Sequence, residues 1–96
     1  MARTRYVVTY DISDDRRRNQ VFRTLHGFGD HTQYSVFLCE LNDSELVRLR
    51  AAVRPHIDAG EDQLLIVEVG PATGPITANV EAIGKGYDPP VRSVVI

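Results

Sequence analysis

The sequence predicts one small domain that combines a β-sheet with two helices. Strand and helix patterns alternate in the order strand, helix, strand region, helix, strand. The chain has 96 residues, about the size of one hydrophobic core, and it contains no repeat, low-complexity segment or interdomain linker. Two architectures share this order of elements: a parallel α/β sheet and a split βαββαβ sandwich. The order of elements leaves both open.

The first strand covers residues 5–11 and is expected at the centre of the sheet. Val7 and Val8 lie on opposite faces of this strand, so both faces need at least partial cover. Asp11 ends the strand on the same face as Val7 and Thr9, because side chains alternate along a strand. A carboxylate is therefore expected at the tip of a central strand.

Two helices are predicted from their capping residues and apolar spacing. Helix one covers residues 14–26, and Ser13 or Asp14 can supply its N-cap. Helix two opens with Asn42 and Glu45, which have the spacing of a capping box. A proline clashes with the preceding turn inside a helix, so the second helix should end near Val53 or Arg54, before Pro55.

The segments between and after the helices are less uniform. Residues 31–41 are rich in β-branched and aromatic residues; they are either one strand or a hairpin, and no typical turn pair marks a reversal. Residues 55–60 are expected to form a loop, and residues 63–69 a strand buried on both faces. Residues 79–83 fit a short strand or the end of a helical pattern, and the strand is favoured.

The C-terminal residues 91–96 read as an apolar strand, separated from the rest by two prolines. An unpaired hydrophobic strand is an aggregation hazard, and pairing with a second copy of the chain would cover it. The single cysteine, Cys39, has no cysteine partner for a disulfide or a zinc site and is expected to pack in the core. This fits a reducing compartment.

The charge is divided unevenly along the chain. Residues 1–23 contain six arginines and three aspartates, net +3, whereas residues 24–96 carry net -5. The acidic remainder argues against strong nucleic-acid binding by the isolated protein and suits a basic partner protein. No apolar run reaches the length of a membrane helix, and no signal peptide pattern opens the chain, so a cytoplasmic protein without membrane contact is expected.

Asp11 is the candidate metal ligand. Mg²⁺ prefers oxygen ligands and usually takes one or two carboxylates with water and substrate phosphate. One chain offers only Asp11 at the strand tip, but a two-fold dimer could bring two copies together around one shared ion. Such an ion could activate water and polarise a phosphoryl oxygen, which predicts phosphodiester hydrolysis. The alternative role for Asp11 is that of an ordinary turn residue.

Arg16, Arg17 and Arg18 are the candidate nucleic-acid ligands. Cations oppose the dipole in the first turn of a helix, but guanidinium groups above free backbone N–H groups also form a phosphate-binding surface. A solvated helix start is the equally weighted alternative. A second basic set on helix two, Arg50 and Arg54, is more consistent with a solvated helix face.

Three segments together resemble the small CRISPR-associated protein family that partners the spacer integrase and is often described as an endoribonuclease. The segments are residues 10–15, Arg18 with Asn19, and residues 33–37. The resemblance covers nearly the whole chain. It implies an α+β, ferredoxin-like βαββαβ sandwich in residues 4–84 and a symmetric homodimer in which strand 91–96 pairs across the interface.

The resemblance also implies roles for individual residues. It identifies Asp11 as the catalytic, metal-binding aspartate and Arg18 as the arginine of the following helix. It places Tyr10, Ser35 and Phe37 in support of the site. The chain departs from the family pattern at His31-Thr32 and at Gln20, where basic residues are usual; His31 could contact phosphate or act as an acid in their place.

The resemblance thus predicts a CRISPR adaptation protein: a homodimer that binds duplex DNA and bridges integrase subunits, with a Mg²⁺-dependent nuclease site at paired Asp11. Single-stranded RNA is the other candidate substrate. A subunit that bridges DNA without cutting it is the main alternative. A toxin-type ribonuclease of similar fold and a ferredoxin-like interaction module are the others.

Overall fold

The strand and helix patterns fold into a four-stranded sheet with two helices on one face. A computed structural model describes residues 2–87. The elements are β1 Thr4–Asp11, α1 Asp15–His26, β2 Gly29–Gln33, β3 Val36–Leu41, α2 Asp43–Val53 and β4 Gln63–Pro71, with 3₁₀ turns at Arg54–His56 and Ile76–Asn79. The sheet order is β2-β3-β1-β4 and every pairing is antiparallel. This is the predicted ferredoxin-like βαββαβ fold, and β1 is central as expected.

Residues 31–41, which the sequence left open, form parts of a hairpin rather than one strand. The chain reverses at Tyr34 and Ser35, between β2 and β3. A register shift between His31 and Gln33 accompanies the reversal. The pairing places Gly29 opposite Cys39, where even a methyl group on Gly29 would collide with the partner strand. The antiparallel architecture follows from this hairpin.

Both predicted helix starts are confirmed. The Asp14 carboxylate accepts a hydrogen bond from the Arg17 N–H at 2.8 Å and caps α1. Asn42 and Glu45 form the predicted reciprocal capping box, with backbone-to-side-chain bonds of 2.8 and 2.9 Å. Such caps satisfy N–H groups that the first helical turn leaves without partners. Each helix therefore begins directly after its capping residue, Asp14 for α1 and Asn42 for α2.

The core lies between the helices and one face of the sheet. Its largest fully buried side chains include Phe37, Leu25 and Leu49, and Cys39 packs there as predicted. The buried apolar residues are Tyr6, Val8, Tyr10, Ile12, Val21, Leu25, Phe37, Cys39, Leu41, Leu46, Leu49 and Val53. Even-numbered residues of β1 face this core, so odd-numbered residues face the other side of the sheet.

The other side of the sheet, which carries no helix, is crossed by the chain after β4, and Arg5 anchors that crossing. Arg5 is only 4% exposed. Its guanidinium donates to Glu40 at 2.7 Å, to the Thr73 carbonyl at 3.1 Å and to Asn79 Oδ1 at 2.6 Å. A further hydrogen bond reaches the Gly74 carbonyl. The buried guanidinium is thus paired with Glu40 of β3 and with three groups of the segment after β4.

Two sequence expectations for this half of the chain are wrong, and a third is right in part. β4 is an edge strand: Leu65, Val67 and Val69 are 46–49% exposed, so one of its faces is not buried. Residues 79–83 form no strand, because the preceding residues close a 3₁₀ turn that ends at Asn79. The expected loop 55–60 opens within the Arg54–His56 turn, where proline fits near the first position. The predicted strand 91–96 lies outside the described residues.

Candidate functional site

Asp11 stands at the tip of the central strand, as the sequence predicts. It is exposed and pairs in register with Gln63 at the start of β4. Strand alternation places its side chain on the helix-free face, with Val7 and Thr9. Within residues 2–87 its carboxylate has no hydrogen bond or ion pair to another side chain. Both oxygens are therefore accessible from solvent.

Tyr10, Ser35 and Phe37, which the sequence predicts to support the site, lie in β1, in the hairpin turn and in β3. The Tyr10 N–H donates to the Ser35 carbonyl at 3.2 Å, which extends the contact between β1 and the hairpin. The Tyr10 ring stacks on Phe37 with ring centroids 6.4 Å apart. Burial raises the pKa of the Tyr10 phenol; the nearby Tyr34 adds to this increase and Arg18 opposes it. Tyr10, which precedes Asp11, therefore contacts both Ser35 and Phe37.

Arg18 braces the turn that joins the strand tip to α1. Its Nη1 donates to the Ile12 carbonyl at 2.9 Å and to the Ser13 carbonyl at 3.3 Å, and its Nη2 pairs with Asp15. The hydrogen bond to Asp15 is the main reason that the pKa of Arg18 is raised. Arg18 thus stabilises the loop next to Asp11 through carbonyl groups that would otherwise lack partners.

Arg17 and Arg16 have different environments. The Arg17 Nε donates to Asp62 at 2.8 Å, and Nη2 reaches Glu61 and Asp62 at 3.2 Å each. The hydrogen bond to Asp62 is the largest cause of the raised pKa of Arg17. Arg16 is exposed and has no side-chain partner among residues 2–87. Arg16 is accordingly the arginine of this run most available to a ligand.

His31 lies on the helix side of the sheet, opposite the face that carries Asp11. Its ring packs against Phe22, His26 and Phe37, with centroids 4.9, 6.0 and 5.1 Å away. Its Nε2 contacts the Tyr34 carbonyl at 3.2 Å, and because a carbonyl only accepts, Nε2 carries the proton. The fold brings His31 to the hairpin turn but does not place it beside Asp11.

Two charged residues that hold the fold together could not be singled out from the sequence. Arg5 looked like an ordinary strand cation, and Asp62 like one of many surface acids. Only the fold shows that Arg5 is buried under the segment after β4 and that the Asp62 side chain is fully enclosed by Arg17 and the Asp58 N–H. A charged residue inside an otherwise apolar strand was the one signal that could have pointed to Arg5.

Asp11 is a suitable type of ligand for Mg²⁺, but the part of the chain that the structure describes shows few further ligands near it. Asp11 is a hard oxygen ligand with both oxygens accessible, which suits a magnesium site completed by water and phosphate. Within residues 2–87, no group of three or more His, Cys, Asp or Glu side chains is placed to hold a metal ion. Among residues 2–87, the carboxylate that ends β1 is that of Asp11.

The fold and the site define a small ferredoxin-like protein with an accessible carboxylate at a strand tip and arginines at the following helix. A family model described as CRISPR associated protein Cas2 matches residues 4–73. The chain is 41% identical over 91 residues to the CRISPR-associated endoribonuclease Cas2 of Geobacter sulfurreducens, covering 95% of each chain. The chain therefore belongs to the Cas2 family of CRISPR-associated proteins.

Solved structures support the same fold. A hypothetical protein from Thermus thermophilus superposes with a TM-score of 0.74 at 38% identity, covering 92% of this chain and 99% of that one. Streptococcus pyogenes Cas2, crystallised at pH 6.5, gives a TM-score of 0.68 at 24% identity and covers 83% and 99% of the two chains. Among residues 2–87 there is no helix of the length and apolarity that crossing a membrane requires.

Proposed function

We propose that this Cas2-family chain works as a symmetric homodimer that meets through the helix-free face of the sheet. The observation that carries the proposal is the apolar stripe on that face, Leu65, Val67 and Val69, each 46–49% exposed. An apolar patch on a sheet face is typical of an interaction site rather than of a solvated surface. Asp11 lies on the same face, so a two-fold axis through it would bring two copies of this carboxylate together.

The paired carboxylates are the proposed catalytic and metal-binding groups. Two like charges brought close together repel, and one Mg²⁺ shared between the two copies of Asp11 would relieve the repulsion. Bound Mg²⁺ supplies Lewis-acid polarisation of a phosphoryl oxygen and activation of water. The reaction class is hydrolysis of a phosphodiester bond.

The arginines are proposed to bind the nucleic-acid backbone. Arg16 offers its whole guanidinium, which can form a bidentate contact with phosphate oxygens. Arg17 already uses Nε and Nη2 on Asp62 and Glu61, so Nη1 is the group it offers. Arg18 uses Nη1 and Nη2 on the strand-tip loop, which leaves Nε. His31 lies on the helix side of the sheet, so it would contact the nucleic acid only if the nucleic acid extended past the β2–β3 turn to that side.

In the cell, the proposed role is spacer acquisition, with the dimer positioning duplex DNA between subunits of the CRISPR integrase. The Cas2-family assignment and the arginines beside the strand tip support this role. Backbone contacts of this kind carry no sequence information, so binding should tolerate any duplex sequence and weaken steeply with salt. The acidic remainder of the chain suits the integrase as a basic partner protein.

The decisive experiment compares wild type with Asp11→Asn on single-stranded RNA and on duplex DNA, each with Mg²⁺ and with chelator. Loss of a metal ligand should lower the cleavage rate at least about a hundredfold, and chelator should do the same to wild type. Asp43→Asn is the matched control, because Asp43 is also exposed but belongs to α2 at the opposite end of the sheet. Equal rates in all conditions would exclude the hydrolytic role.

A second candidate function, a DNA-bridging subunit without catalysis, is favoured by the exposed guanidinium of Arg16, which has no side-chain partner among residues 2–87. It predicts that duplex binding survives Asp11→Asn and falls with Arg16→Ala. Arg16 is the appropriate target because Arg17 and Arg18 also brace the fold. Analytical ultracentrifugation tests whether the chain forms a homodimer. A chain that stays monomeric at working concentration would exclude the paired-Asp11 site, and DNA bridging would then be tested by itself.

A further inference from the structure

The solvent-facing edge of an aromatic cluster at the end of α1 carries two histidines. Phe22, His26, His31 and Phe37 contact one another pairwise, with ring centroids between 4.6 and 6.0 Å. Phe37 is fully buried and Phe22 half-buried, whereas both histidines are exposed. The two phenylalanines therefore fix the positions of two imidazoles that solvent can reach.

The distance between the two ring centroids falls within the range for two imidazoles on one metal ion. With nitrogen–zinc bonds of about 2.1 Å and the ring centre about 1.1 Å behind each nitrogen, two coordinating rings have centroids between about 5.2 Å apart for a tetrahedral angle and about 6.4 Å for a linear one. The His26 and His31 centroids are 6.0 Å apart, with the rings tilted by 52°.

The hydrogen bond of His31 is a second, independent indication that its ring is oriented as in a metal ligand. The His31 Nε2–H donates to the Tyr34 carbonyl at 3.2 Å, which leaves Nδ1 as the ring nitrogen that could bind a metal ion. A histidine that binds a metal usually donates its other ring N–H to a carbonyl or carboxylate, which fixes the tautomer and the ring orientation. His31 has this arrangement before any ion is bound.

We propose that His26 and His31 form a two-histidine site for one divalent transition-metal ion, such as Zn²⁺. Imidazole nitrogen suits such ions and is a poor ligand for Mg²⁺, so this site is distinct in chemistry from the carboxylate at Asp11. Within residues 2–87 no third His, Cys, Asp or Glu joins the pair, so water completes the coordination. A bound ion would tie the end of α1 to the β2–β3 hairpin.

Zinc titration of the full-length, tag-free protein in a non-chelating buffer tests the site. We expect one Zn²⁺ per chain, a higher melting temperature that EDTA reverses, and NMR shifts of the His26 and His31 ring protons but not of those of His56. His26→Gln and His31→Gln should each weaken zinc affinity more than about tenfold. Mg²⁺ in place of Zn²⁺ should cause no shift of these ring protons.

The chain supplies matched controls. His56→Gln removes the third histidine, whose Nδ1 contacts Gln20 at 3.2 Å, and should bind Zn²⁺ as wild type does. Asp11→Asn should keep the zinc-dependent shifts of the His26 and His31 ring protons, which separates this site from the proposed nuclease site. Circular dichroism without metal checks that each variant is folded. Wild-type affinity in both His26→Gln and His31→Gln, or unshifted ring protons in the native protein, would overturn the proposal.

Discussion

Replacing Arg5 by methionine should release the segment that follows β4 without unfolding the domain. Methionine keeps an unbranched apolar stem of similar reach but removes the four hydrogen bonds of the guanidinium to Glu40, Thr73, Gly74 and Asn79. The core on the other face of the sheet contains none of these groups. The effect should therefore be concentrated in residues 72–80.

The magnitude follows from the partners of Arg5. Hydrogen bonds from a charged donor contribute about 1.5–3 kcal/mol each when both groups are buried. Arg5 is 4% exposed, but the Glu40 side chain is 47% exposed and the released carbonyls regain water. We therefore expect a loss of about 2–4 kcal/mol, roughly a third of the summed contribution of the four bonds. The free energy of unfolding of Arg5→Lys should lie between those of wild type and Arg5→Met, because an ammonium keeps the charge but lacks the planar fork of a guanidinium.

Two measurements separate local release from global destabilisation. Hydrogen exchange should accelerate in residues 72–80 of Arg5→Met while the β1–β3 amides keep their protection, and urea unfolding should report the lost free energy. If residues 72–80 exchange as slowly in Arg5→Met as in wild type, or if the variant is equally stable, Arg5 does not hold this segment and the reasoning fails.

Two further changes test packing and charge. Gly29→Ala places a methyl group against the Cys39 sulfur and 2.5 Å from the Leu38 carbonyl, so it should lower the free energy of unfolding by about 1–3 kcal/mol. Gly86→Ala, with no atom within 4 Å, should leave it unchanged in the same urea titration. Arg17 and the Asp58 N–H lower the pKa of Asp62, so its contribution to stability is complete above its unfolded pKa of about 3.9 and is lost as pH falls through the lower folded value. Asp62→Asn should therefore flatten the acid side of the stability profile; an unchanged slope below about pH 4 would contradict this assignment.

The sequence was sufficient where the deciding chemistry is local. The capping box at Asn42 and Glu45 and the cap at Asp14 are short-range hydrogen bonds, and the structure has both. The hairpin at Tyr34 and Ser35 was left open because its turn carries no residue pair that favours reversal. The structure shows the reversal together with the pairing of β3 with β1, a tertiary contact that the turn residues do not reveal.

The sequence was insufficient where distant groups decide. An apolar run such as β4 reads as buried on both faces, yet the strand order places β4 at an edge with Leu65 and Val67 exposed. Arg17 and Arg16 look equivalent as neighbours in an arginine run. Only the contact with Asp62, 45 positions later in the sequence, shows that Arg17 is paired whereas Arg16 is accessible.

The hydrogen bond between the Tyr10 N–H and the Ser35 carbonyl uses main-chain atoms on both sides, and the pairing of Asp11 with Gln63 is likewise a matter of backbone register. The location of the carboxylate is thus dictated by the path of the polypeptide rather than by the identity of its neighbours. Residues 35 and 63 could be exchanged for others of similar conformation while Asp11 stayed in place. A chain built this way can vary in sequence around Asp11 without moving that carboxylate.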